Sequence, residues 1–105
     1  MNADAARDRA TAVLREVEDP AKPLALLAGA PSEYDWCWLF PFNTVRAIDG
    51  DFLASLATGP VVVPKNGNDP WVAPSSLPVE RWLNEYAEQE GLPAVPVPVP
   101  ENPFA

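Results

Sequence analysis

Between Glu33 and Asn43 the chain reads Glu-Tyr-Asp-Trp-Cys-Trp-Leu-Phe-Pro-Phe-Asn, so that Trp36, Trp38, Phe40 and Phe42 recur at every second position. Strand side chains alternate between faces, which puts all four rings on one expected side. Burying a ring removes roughly 150–250 Å² from water, on the order of 4–6 kcal/mol at about 25 cal/mol per Å². That side must be a core, and the other segments are expected to cover it. Pro41 interrupts the run without a backbone donor and therefore belongs at an edge, a bulge or a strand end.

Candidate covers lie on both sides of the run. Ala6, Ala10, Val13, Leu14 and Val17 have the spacing of one helical face, capped by Asn2 or Asp4 and ended at Asp19-Pro20. Pro23–Gly29 is short and apolar and predicts a strand in a hairpin with the aromatic run, across a turn at Pro31–Asp35. Asn43–Ile48 continues in extended form to Asp49-Gly50-Asp51, and Phe52, Leu53, Leu56 and Ala57 have the spacing of a short helical turn. Pro60–Val63, with three consecutive valines, predicts a covered strand. Asn66-Gly67 marks a hairpin returning through Trp71–Ala73. Leu77–Glu90 predicts a helix with the stripe Val79, Trp82, Leu83 and Tyr86, entered through Ser75 or Ser76 and Pro78 and terminated by Gly91 and Pro93. The remainder, Val95-Pro-Val-Pro-Val-Pro100, is too poor in donors for a central strand and predicts an extended tail. Together these give an α+β domain over 1–92, an antiparallel sheet of about four strands with an N-terminal and a C-terminal helix packed on one face, and a Pro-Val tail over 93–105.

With 105 residues there is room for one domain and a single core. Seven Lys and Arg stand against fifteen Asp and Glu, a net charge of −8 that disfavours nucleic acid and anionic membrane and suits a basic protein partner. No apolar stretch approaches the length of a membrane span and no signal-peptide pattern opens the chain, so a cytoplasmic location is expected. Cys37 is the single cysteine, which excludes an internal disulfide and marks it as a small packed hydrophobe.

Catalytic chemistry finds little material. Histidine is absent, and with it the usual general base, metal ligand and nucleophile partner. Asp49 and Asp51 are the nearest approach to a carboxylate pair, but flanking Gly50 they read as exposed turn residues. With Asp35 they match no calcium-loop spacing. No catalytic residue, cofactor or metal is expected. Gly59 reads as a positive-φ turn before the valine strand. Alternate aromatics can also stack single-stranded nucleic acid, yet Arg46 is the one cation near this run, which favours packing.

The order of features carries a resemblance: the N-terminal helix, the aromatic strand with Trp36, Trp38, Phe40 and Asn43, the Asp-Gly-Asp segment, then Leu56-Ala-Thr-Gly-Pro-Val-Val-Val, the Asn-Gly turn and Leu77-Pro-Val-Glu-Arg-Trp-Leu-Asn-Glu-Tyr. Over roughly Ala5 to Gly91 the chain resembles the YrhB-like family, grouped with immunity protein 35 of bacterial toxin systems. The resemblance implies a small non-enzymatic α+β protein that neutralises a cognate toxin by binding it, with a chaperone-like role as the alternative. Glu33, Asp35, Asp49 and Asp51, in turns flanking the aromatic strand, are the expected partner-binding residues for a basic toxin.

Overall fold

The computed structural model describes residues 2–76 and 78–97. Helix α1 (Ala3–Val17) starts at Asn2, whose side chain accepts the Ala5 N–H, and buries Ala6, Ala10 and Leu14, one residue per turn along a single stripe. The chain then forms β1 (Leu24–Leu26), β2 (Ser32–Glu33), β3 (Cys37–Phe40), β4 (Phe42–Thr44) and the short helix α2 (Val45–Ile48). After a 3-10 turn at Phe52–Ala54 come β5 (Val61–Pro64), β6 (Trp71–Val72) and α3 (Val79–Glu90). The fold is α+β. Its antiparallel strands form a four-stranded sheet in the order β2-β3-β5-β6 and a separate pair, β1 with β4.

Pro41 explains the division. It falls between β3 and β4, at a strand end, and its carbonyl accepts the Leu27 N–H beyond the β1 ladder. The aromatic run is thus shared by two sheets, with β3 against β5 and β4 against β1. Ser32 and Glu33, expected within a turn, instead pair with Leu39 and Trp38 as an edge strand. The Asn66-Gly67 hairpin joins β5 to β6 as its residues predict, with Val61 opposite Val72 and Val62 opposite Trp71.

Two expectations about the core are corrected. Trp38, Phe40 and Phe42 share one cluster with Ala6, Ala10, Leu14, Val61 and Val63, but Trp36 lies in a second with Cys37, Leu39, Val62, Ala73, Leu83 and Ala87. A bend at Asp35-Trp36, before the regular strand begins, breaks the alternation that would have kept Trp36 with the other rings. Alternating residues of β3 and β5 therefore feed two cores, one under α1 and one under α3. The helices cover opposite faces of the four-stranded sheet and not one face.

Other differences are local. Asn43–Ile48 is extended only to Thr44, because the Thr44 hydroxyl accepts the Ala47 N–H and starts α2. Helix α3 begins after Pro78 with no side-chain cap, and the expected first residue of its segment, Leu77, lies outside the described residues. On α3 the buried positions are Leu83 and Ala87, while Trp82 sits at the margin of the stripe and joins neither cluster. Gly59 is absent from the positive-φ glycines among the described residues. Its hydrogen atom is needed for a close approach: a Cβ there would lie 2.3 Å from the Ala73 carbonyl oxygen, which already accepts the Gly59 N–H at 3.0 Å. The expected tail is docked where it begins. Val95 is buried in the second core, and the Pro93 carbonyl accepts the Trp36 indole N–H at 3.0 Å. Residues 98–105 of the tail lie outside the described residues.

Candidate interaction surface

From β4 the chain enters a loop whose backbone is tied down by the last two residues of that strand. The Asn43 Oδ1 accepts the Leu56 N–H at 2.9 Å, and the Thr44 hydroxyl donates to the Ala54 carbonyl at 2.8 Å. Gly50, at φ +112°, allows the reversal after α2. Asp51 then caps the 3-10 turn by accepting the Leu53 N–H, and its second oxygen takes the Arg46 guanidinium at 2.9 Å.

This frame turns apolar side chains outward. Phe52 is 86% exposed and Leu53 99%, with Ile48 and Leu56 partly exposed beside them. Behind Leu53 runs a groove of about 350 Å³ lined by Lys22, Pro23, Thr44, Arg46 and Leu56. Large apolar side chains lose free energy when left in water, and contiguous exposed ones mark interaction surfaces. Because the far end of the segment is hydrogen-bonded to β4 and its near end is held by Asp51 and Arg46, the exposure is built into the fold.

The four carboxylates expected to bind a partner fall into two groups. Asp49 and Asp51 flank Gly50 beside the apolar loop, with Asp49 free on the surface and Asp51 engaged by Arg46. Glu33 and Asp35 lie at the other end of the aromatic run. Glu33 holds Lys65 at 2.6 Å, and the same ammonium stands 4.7 Å from the centroid of Trp38; Asp35 is exposed in the bend before Trp36. The fold does not gather the two groups onto one strand end.

The spacing of Phe52, Leu53, Leu56 and Ala57 predicts a short helical turn, which the 3-10 turn at Phe52–Ala54 matches in part, but it does not show these side chains as a surface. The signal that could have found them is their setting: an apolar segment with Asp49-Gly50-Asp51 before it and Gly59-Pro60 after it is too short for a helix to fold one face away.

Two titratable groups beside the cores are shifted by burial. The Cys37 thiol is pushed up to about 12 by burial, with Lys65 acting weakly in the opposite sense, so it stays protonated at neutral pH. Tyr34, partly buried and donating to the Glu80 carboxylate, is raised by desolvation first and by that bond second. Among the described residues no three His, Cys, Asp or Glu come together as a metal-binding group, and no helix is long and apolar enough to cross a membrane.

No curated protein and no solved structure matches this chain. A family model described as immunity protein 35 matches residues 4–85, from the first turn of α1 to the middle of α3 and thus most of the chain's length. With helices and antiparallel strands arranged as described, this chain belongs to the immunity protein 35 family.

Proposed function

We propose that the protein is a non-enzymatic immunity protein that neutralises a cognate toxin by binding it directly, with the loop around Ile48–Leu56 as the contact. The observation that carries this reading is the outward placement of Phe52 and Leu53 on a hydrogen-bonded frame. A preformed loop loses little conformational entropy on binding, and exposed apolar residues with a charged rim have the composition of an interface centre. The net charge of −8 supports a basic toxin, drawn in by long-range attraction, and a cytoplasmic encounter follows from that role.

Co-expression with the toxin encoded beside it tests the proposal. The double variant Phe52→Ser with Leu53→Ser is expected to abolish protection while keeping the thermal midpoint, since neither side chain is buried. Asp49→Lys is expected to slow association, with the effect shrinking as salt shortens the Debye length below about 8–10 Å. Asp51 is a less clean site, because it also holds Arg46 and the Leu53 N–H. Cells that die equally with and without the wild-type protein would overturn the assignment.

The same exposed side chains favour a second reading, the chaperone-like role attached to YrhB-like proteins. It calls for weak binding of many unfolded chains through Phe52 and Leu53, insensitive to salt, and without protection against one toxin.

A further inference from the structure

Among the described residues, Lys65 completes a cation site that has both a ring and a carboxylate. Lys65 Nζ lies 4.7 Å from the centroid of Trp38 and 2.6 Å from a Glu33 oxygen, so a ring face and a carboxylate share one ammonium. A second place in the molecule has the same parts without the cation. There Trp71 of β6 and Trp82, Glu85, Tyr86 and Gln89 of α3 line a notch of about 160 Å³. The helix residues follow a spacing of three, four and seven, which puts them on one face.

The rings are held in place. Tyr86 packs 5.4 Å from Trp36 and 5.3 Å from Trp71, centroid to centroid, and its hydroxyl accepts the Asn68 amide at 3.1 Å. Among the described residues, the cations found over a ring are Lys65 on Trp38 and Arg7 on Phe40, neither of them at this notch. The indole N–H groups of Trp71 and Trp82 are buried and have no acceptor among the described residues. A lysine or arginine side chain brings donors and no acceptor, so these N–H groups report on the notch without bonding to its occupant. The local field also favours positive charge: Glu85, Glu88 and Glu90 occupy the C-terminal half of α3, its last turn has no basic residue, and the helix dipole is negative at that end.

We infer that this notch receives an arginine or lysine side chain of a basic protein partner, its charge set against the Trp71 and Trp82 rings and the Glu85 carboxylate, with Tyr86 holding Trp71 in place. A volume of about 160 Å³ suits a single side chain and not an element of structure. The identity of the partner as a toxin rests on the reading above; the cation chemistry does not. Partner anchoring would then occur on α3, apart from the Phe52–Leu53 loop.

Nitrogen-15 NMR with small probes tests it without a toxin. Titration with N-acetyl-arginine amide or N-acetyl-lysine amide is expected to move the Trp71 and Trp82 indole N–H signals saturably, and Trp38 little, while the uncharged N-acetyl-citrulline amide moves none of them. Glu85→Gln is expected to weaken the response severalfold, and Asp8→Asn, the same charge change on exposed α1 surface, to leave it intact. Absence of a shift with both cations, an equal shift with the citrulline probe, or equal weakening by the two variants would each overturn the inference. Failure of protection in co-expressing cells leaves this titration unaffected, so the two readings fail separately.

Discussion

Asn84 satisfies both polar groups of one distant residue: its Nδ2 donates to the Val95 carbonyl at 3.0 Å, and its Oδ1 accepts the Val95 N–H at 2.6 Å. With those groups paired, Val95 can be buried against Leu83 and Ala87. Asn84→Ala strands them and is expected to cost about 1–3 kcal/mol in urea melts, and truncation before Pro93 to cost more because Trp36 also loses its acceptor. Gly59→Ala is expected to destabilise by about 1–3 kcal/mol or more, since the new methyl meets the backbone of Ala73 and Pro74 and not a side chain that could turn away. Native Cys37 is expected to react with a thiol reagent only as fast as the protein unfolds, because burial keeps it both protonated and covered. The sequence marks Cys37 as a packed residue, since a single thiol without histidine has no reactive partner. Gly59 is marked as special, but its reason lies at Ala73, fourteen positions later and just past β6. Asn84 is not marked at all: an amide in a helix looks like solvated surface until the tail is seen beside it.

The joint between α1 and β1 depends on one carboxylate. Glu18 accepts the Leu24 N–H at 2.8 Å and holds Arg15 at 2.7 Å, and its pKa is lowered first by that backbone bond and then by the guanidinium. A carboxylate lowered on folding stabilises the fold above its ordinary pKa, and the contribution fades as pH falls through the folded value. Glu18→Gln is therefore expected to lower the thermal midpoint at neutral pH and to flatten its decline below the usual carboxylate range. On α3, Leu83→Ala is expected to cost about 2–5 kcal/mol, whereas Trp82→Leu, at the margin of the stripe, costs under about 1.5 kcal/mol. The α1 stripe is legible because small and branched apolar residues at i, i+4 have one use. The α3 stripe is only half legible: the size of Trp82 draws attention from Leu83 and Ala87, although side-chain volume does not decide which face is turned inward. Helix α2 is hidden for a similar reason, since Val45 and Ile48 favour extended backbone and only the Thr44 cap turns them.

At the scale of the whole molecule, the aromatic run does organise the fold, but as a partition: its β3 side chains supply cores on both faces of the sheet. The α+β class, the Asn-Gly hairpin and the two terminal helices follow from local patterns. The sheet's second cover does not, because placing α1 and α3 on opposite faces is set by the crossing of the chain between elements distant in sequence. The apolar loop was illegible for a complementary reason. Apolar side chains are ordinarily inside, and only the hydrogen bonds from Asn43 and Thr44, made across ten or more positions, show Phe52 and Leu53 held outward. An opened loop is the control that follows: Asn43→Ala releases Leu56 and is expected to weaken binding of the proposed toxin partner through mobility, with the apolar residues of the contact unchanged.

Opposite covers also impose an order on synthesis at the ribosome. The core under α1 is complete once Val63 has emerged, whereas Cys37, Leu39 and Val62 on the other face wait for residues 83–95 to reach them. During that interval a nascent chain shows one finished face and one greasy sheet surface, edged by a strand with free hydrogen-bonding groups. Chains truncated within α3 should accordingly be the species that chaperones retain and that self-associate, while chains ending a few residues past Val95 should escape.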